Sequence, residues 1–294
     1  MRWEDNRRSS NIEDRRGETQ NFGSRTNAGN IGALLPIVKM LIGTKIGRIV
    51  LIVGAILYFG FGFNPLSLMD GSASNNQSNQ VVDQKADDRS AQFVSAVLAQ
   101  TEDIWRDVFK EHNMRYQDAK LVLFRGGVKS ACGVASSQVG PFYCPVDSKV
   151  YLDLSFFDEL GKKYKAPGEF AQAYVIAHEI GHHVQNLVGT LTQVHQAKQS
   201  LNKTKQNALQ VNVELQADCY AGIWAHYSKS RFDSLEEGDL EAALRAANAI
   251  GDDTLQKQAQ GYVVPDSFTH GTSKQRMDAF KKGFYSGDMQ VCAF

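Results

Sequence analysis

Residues 173–185, AYVIAHEIGHHVQ, decide how this chain is read. They hold three of its seven histidines and a glutamate in an otherwise apolar run. On a helix, His178 and His182 stand four positions apart, so their imidazoles emerge one turn apart on the same face. Two neutral ring nitrogens at that separation can grip one tetrahedral zinc ion. Glu179 lies between them in the pattern H-E-x-x-H and points slightly aside, where it reaches a metal-bound water and not the metal. A carboxylate there takes the water's proton as the nucleophile forms, then passes it to the leaving amine. Residue frequencies alone produce H-E-x-x-H in about one in a hundred chains of this length. The ligand set must therefore be completed elsewhere.

A third histidine on the same strip of chain is excluded. The pattern H-E-x-x-H-x-x-G-x-x-H would need glycine and histidine where Gln185 and Val188 stand. The better candidate is NVELQADCYAG, residues 212–222, on the next strongly helical segment but one. Glu214 and Asp218 are again four apart on one face, beside Ala217 and Ala221, small enough for close helix approach. Most E-x-x-x-D faces are solvated, but these neighbours are apolar, and two inward acids there require a cation. Glu214 is the expected third ligand. Asp218 is expected to accept a hydrogen bond from a ligand histidine's other nitrogen, which fixes its tautomer and raises its basicity.

These paired motifs resemble the gluzincin metallopeptidases. YVIAHEIGHHVQ, ELQADCYAG, GPFYCPVDSKVYLDLSFF and VPDSFTHGTSKQR together resemble the bacterial family of neutral zinc metallopeptidases, over about residues 88–292. The resemblance implies a zincin fold, a Zn2+ cofactor and peptide-bond hydrolysis. His270, in FTHGTSKQR, resembles a segment that follows the zinc helices in membrane-processing gluzincins. It would donate a hydrogen bond to the tetrahedral oxyanion, with Arg276 orienting it or an acidic group beside the ligands. The plain alternative is a turn histidine ahead of a helix capped by Thr272 or Ser273. His183, about 100° round the helix from His182, cannot share the metal face and reads as a surface or supporting residue. His195 and His226 read as structural.

Around this centre the chain divides by texture. Its 294 residues suffice for one large domain or two small ones, and 32 basic residues balance 32 acidic ones. That balance argues against nucleic acid as a partner. IVLIVGAILYFGFGF, residues 49–63, carries no charge, and with NPLSLM it reaches about 20 residues, the span a bilayer core requires. We expect a transmembrane anchor at 49–69, with the lipid bilayer as partner. Arg2, Arg7, Arg8, Arg15, Arg16, Arg25, Lys39, Lys45 and Arg48 precede it, and no basic residue follows until Lys85. The positive-inside rule then leaves a basic segment, 1–48, in the cytoplasm of a single-pass inner-membrane protein. The metal domain would be periplasmic or extracellular. The apolar patch at 31–43 contains Pro36 and Lys39 and reads as interfacial at most. Residues 70–88 are polar and read as a flexible tether.

The domain at 89–294 opens with an amphipathic helix from about Ser90, which places Phe93, Val94, Val97, Leu98, Ile104, Trp105 and Phe109 at helical spacing. Short strands are expected at 121–124, 140–144 and 149–157, and helices from about Phe170 onward. The fold class is α+β: a zincin-like domain with a small sheet packed on a mainly helical bundle, behind an N-terminal transmembrane helix. GPFYCP has a proline at each end and suits an edge strand. A peptide or protein substrate would lie along it as an extended strand.

An exported domain changes the meaning of four cysteines. A Cys132–Cys144 bridge would clip the edge strand, and a Cys219–Cys292 bridge would pin the C-terminal tail near the site. Loop entropy makes the second worth about 4 kcal/mol. The function expected is a membrane-anchored zinc endopeptidase. Its rivals are a non-catalytic zinc-stabilised scaffold and a zinc amidase acting on cell-wall peptides. Glu179 separates the scaffold from the enzymes, since a scaffold needs only the ligands.

Overall fold

Asp83 starts the first long helix, α1 (Gln84–Glu111), by accepting the backbone N–H groups of Lys85 and Ala86. That cap satisfies donors the helix itself cannot. The computed structural model describes residues 1–18, 83–136 and 139–294. Helix α1 therefore begins inside the stretch expected as a tether, and residues 83–88 belong to the fold. Asp87, buried on its first turn, is held by Arg16 at 2.7 Å and by Arg125. The expected transmembrane helix at 49–69, the patch at 31–43 and the tether from 70 to 82 lie outside the described residues. Among the described residues no helix is long and apolar enough to cross a membrane.

The N-terminal residues also join the domain, where the charge pattern had set 1–48 apart. Strand β1 (Ile12–Asp14) pairs in parallel with β2 (Lys120–Phe124). Trp3 is 3% exposed, packs edge-on to Phe93 and donates its indole N–H to Glu169 at 3.0 Å. Glu102, buried on α1, is satisfied by Ser9, by the Asn11 amide at 2.9 Å and by Arg7 at 2.7 Å. Met1–Gln20 and Asp83–Phe294 thus make one compact unit.

After β2 come the hairpin β3 (Gly127–Ser130) and β4 (Gly133–Ser136), then β5 (Phe142–Cys144) and β6 (Lys149–Asp153). The main sheet runs β1-β2-β6-β5, with β6 parallel to β2 and antiparallel to β5. β5 is an edge strand, as its flanking prolines predict. β6 ends at Asp153, earlier than the expected 157. There Asp153 accepts from the backbone and hydroxyl of Ser155, and the chain turns into α2 (Ser155–Lys162).

The helical layer is α3 (Glu169–Leu187), α4 (Thr190–Lys198), α5 (Lys203–Phe232), α6 (Asp239–Ala249), α7 (Asp252–Gln260) and α8 (Ser273–Ser286). The expected α+β class is therefore observed, with a small sheet against a helical bundle. Trp105 of α1, Phe170 and Tyr174 of α3, Trp224 of α5 and Phe280 of α8 are fully buried in one core. α5 and α8 touch backbone to backbone. A Cβ on Gly222 would lie 2.1 Å from the Phe280 carbonyl, and one on Gly283 would lie 1.9 Å from that of Cys219. Cys132 is bonded to Cys144 and Cys219 to Cys292, the pairing expected from the sequence.

Candidate metal centre

Helix α3 carries His178, Glu179 and His182, and α5 brings Glu214 and Asp218 against it. The approach is close because Gly181 faces Ala217: a Cβ on Gly181 would sit 2.8 Å from the Ala217 carbonyl oxygen. The ligand atoms offered by His178, His182 and Glu214 all lie within 4.8 Å of one another. Glu214 Oε2 is 3.2 Å from His178 Nε2 and 3.5 Å from His182 Nε2. Two ligands on a tetrahedral zinc, each about 2.1 Å from it, are about 3.4 Å apart. The donor set fits the ion.

The remaining atoms of these ligands are fixed by the shell behind them. His178 Nδ1 lies 2.8 Å from Asp218, a group that only accepts, so Nδ1 carries the hydrogen and Nε2 faces the metal position. Asp218, fully buried, also accepts from Tyr174 at 2.6 Å and from both Nε and Nη2 of Arg276, at 2.8 and 3.0 Å. Arg276 therefore orients the acid behind the ligand, one of the two roles weighed for it. Burial pushes the Tyr174 phenol well above its usual pKa, so it remains a donor. His182 Nδ1 meets the side-chain carbonyl of Gln185 at 2.9 Å. The Gln185 amide nitrogen is spent on the Val213 carbonyl at 2.7 Å and on Gln216 at 3.0 Å.

Electrostatics follow from these contacts. Burial disfavours the His178 cation, but Asp218 and Glu214 outweigh it and raise the pKa to about 10. His182 is raised as well, burial again being outweighed by Glu214. Burial also penalises both carboxylates, yet the imidazoles hold Glu214 well below its usual range. Arg276 and His178 hold Asp218 at about 2. The site is built to stabilise positive charge against Glu214.

The centre opens on a cleft of about 820 Å³. Its walls include Phe142 and Tyr143 of β5, Glu179, Lys198 and His270. His270 is brought to the cleft with half its side chain exposed, and its Nδ1 lies 3.3 Å from Asp252. Asp252 in turn accepts the backbone N–H groups of Thr269, His270 and Gly271. His183 is buried and not at the surface. Its Nε2 donates to the Gln117 carbonyl at 2.6 Å, and its Nδ1 is 3.1 Å from the Tyr143 hydroxyl. It thereby ties the edge strand to the metal helix. His195 is exposed on the cleft wall, and His226 bonds the Phe284 carbonyl at 2.8 Å.

Three contributors were missed from sequence. Gln185 reads from sequence only as the absence of a glycine, although its place three residues after His182 puts it on the same face. Asp252 opens α7 in a GDDT stretch that reads as a helix start. Tyr174 sits one turn before His178 in an apolar run and looks like core.

A family model described as "Putative neutral zinc metallopeptidase" matches residues 1–294. Among curated proteins, the chain is 46% identical to the uncharacterized protein YpfJ of Escherichia coli (strain K12), over 99% of this chain and 98% of that one. It is 43% identical to the uncharacterized protein Rv2575 of Mycobacterium tuberculosis (strain ATCC 25618 / H37Rv), over 60% of this chain and 62% of that one. No solved structure matches it.

Proposed function

This chain belongs to the neutral zinc metallopeptidase family, and on that premise we propose that it hydrolyses peptide bonds with zinc held by His178, His182 and Glu214. The observation that carries the reading is the convergence of those three ligands, Glu179 and His270 on one cleft beside an edge strand. Zinc, when bound there, supplies a Lewis acid that polarises a carbonyl and acidifies water. Glu179 takes a proton from the attacking water and delivers it to the leaving amine. His270, its Nδ1 3.3 Å from Asp252, would in its cationic form offer Nε2–H to the developing oxyanion. Asp218, Tyr174 and Arg276 hold the His178 tautomer, and Gln185 holds that of His182. An extended peptide adds to the free edge of β5, where backbone pairing gives affinity with little side-chain discrimination. Endopeptidase activity and attachment to a membrane through residues 49–69 are part of the same proposal.

Glu179→Gln provides the test. The zinc-loaded full chain should cleave an unstructured protein such as casein. The variant should keep zinc and fold and lose activity by about two orders of magnitude or more. A wild type that binds zinc and cleaves neither casein nor cell-wall peptides would leave a zinc-stabilised scaffold as the better reading.

A further inference from the structure

Among the described residues, the cleft contains one lysine with no carboxylate at ion-pair distance. Of its other charged walls, Glu214 faces the two ligand histidines and Arg276 is paired with Asp218. Lys198, the last residue of α4, has no carboxylate within ion-pair distance among the described residues. Its ammonium makes one hydrogen bond, to the side-chain carbonyl of Gln210. The Gln210 orientation is not arbitrary. Its amide nitrogen donates to Glu214 Oε1 at 2.9 Å, and because a carboxylate only accepts, the amide oxygen must turn toward Lys198. The Lys198 backbone is held too, by the Gln206 amide at 3.0 Å. A positioned ammonium is thus linked to the metal ligand through a single side chain, with two N–H donors to spare.

A partly buried ammonium without a counter-ion is costly until an anion arrives. Glu214 is engaged by the two ligand histidines and by Gln210, and among the described residues no carboxylate lies within ion-pair distance of the ammonium. We propose that Lys198 determines specificity, selecting peptides that present a carboxylate beside the scissile bond. This inference rests on the peptidase reading and names its substrate class. The carboxylate has two sources, an Asp or Glu side chain or the free C-terminus of the peptide.

Binding to the zinc-loaded, full-length Glu179→Gln variant separates them. Fluorescent peptides would differ by Glu or Gln at successive positions, and by a free or amidated C-terminus, with anisotropy as the readout at low and high salt. In one register, or at the free terminus, the carboxylate form should bind about tenfold to a hundredfold tighter, the range of a hydrogen bond to a charged group. Salt should narrow the gap. Adding Lys198→Gln should bring acidic and neutral peptides together, and Lys198→Glu should turn the preference toward lysine-bearing peptides. Circular dichroism and zinc stoichiometry confirm that each variant is folded. Equal binding of acidic and neutral peptides, or a preference that survives Lys198→Gln, overturns the assignment while cleavage by the wild type leaves the peptidase reading standing. No binding and no cleavage overturns both.

Discussion

Protons and zinc compete for the same side chains. With no ion bound, His178 titrates near pH 10 and is cationic at pH 7, so zinc can enter only as that proton leaves. Titration calorimetry in buffers of different ionisation enthalpy should show release of about one proton or more per zinc at pH 7. Zinc affinity should fall as pH drops from 9 to 6. Glu214→Ala removes part of the charge that keeps the two imidazoles protonated, but it also removes a ligand outright, and the second effect dominates. Affinity should therefore drop by more than the tenfold to hundredfold typical of supporting residues, at about 25 °C. An unchanged stoichiometry and affinity would remove Glu214 from the ligand set. The metal-free chain responds to pH with the opposite sign on the histidine side. A raised His178 pKa stabilises the fold fully below 6.5 and loses that contribution as pH rises through about 10. Depressed Glu214 contributes above 4.5 and loses it as pH falls through its lower folded pKa. These two groups contribute most to the metal-free fold between pH 4.5 and 6.5, and a melting temperature rising steadily from pH 6 to 9 would contradict their dominance. The ligands were legible because a metal demands donors at fixed helical spacing, and H-E-x-x-H with E-x-x-x-D states that spacing outright. Gln185 and Asp252 were not, because a side chain that supports a ligand by one hydrogen bond leaves no periodic trace.

Pairs of helices set the distance between those ligands. Gly181 occupies one of the two variable positions of H-E-x-x-H, and the Ala217 backbone lies against it, with Cα 3.0 Å from where a Cβ would stand. Both contacts are backbone, which cannot swing aside as a side chain tip can. Gly181→Ala should thus cost about 1–3 kcal/mol, the range for overpacking, and should weaken zinc binding by moving Glu214 away from His178 and His182. Denaturant unfolding read alongside a zinc titration checks both effects. A variant with wild-type stability and affinity would mean that α3 and α5 slide apart freely. The sequence shows this device in Ala217 and Ala221, whose small size beside two acids signals close approach. Other elements left less to read. β2 and β5 carry aromatic and β-branched residues bounded by turn formers, so their strands are visible. β1 is Ile12, Glu13 and Asp14 in a charged stretch, too short and too polar for alternation to register. Its strand character comes from β2, through backbone bonds such as Leu121 N–H to the Asn11 carbonyl at 2.9 Å. That partner lies more than a hundred residues away and is beyond the reach of a local pattern.

For the whole molecule, β1 carries a consequence for topology. A parallel strand pair cannot be divided by a bilayer, so residues 1–18 and 83–294 lie on one side of any membrane the chain meets. A single crossing at 49–69, with the N-terminus inside and the metal domain outside, would require β1 to leave β2. Three of the basic residues that suggested an inside N-terminus have another use. Arg2 meets Asp233 at 2.8 Å, Arg7 meets Glu102 at 2.7 Å and Arg16 meets Asp87 at 2.7 Å, all partners within the folded unit. Charges engaged by acids of their own domain argue weakly for orientation. The contacts are also energetically significant, because Trp3 is buried against Phe93 and bonded to Glu169, the first residue of the metal helix. Trp3→Ala should cost about 3–5 kcal/mol, as large core truncations do. A fragment beginning at residue 88 would lack Trp3, β1 and the first turn of α1, and should be less stable than the full chain. Export-dependent reporters fused to either end of the full chain should give the same answer. We expect both to be active, since Cys132 with Cys144 and Cys219 with Cys292 form bridges that persist in an oxidising compartment. Non-reducing gels should then show faster migration, partly lost in Cys292→Ser. Two silent reporters would keep the unit whole but put it in the cytoplasm with its thiols reduced. One active and one silent reporter would mean that β1 leaves the sheet in the cell, and the shared side would have to be abandoned.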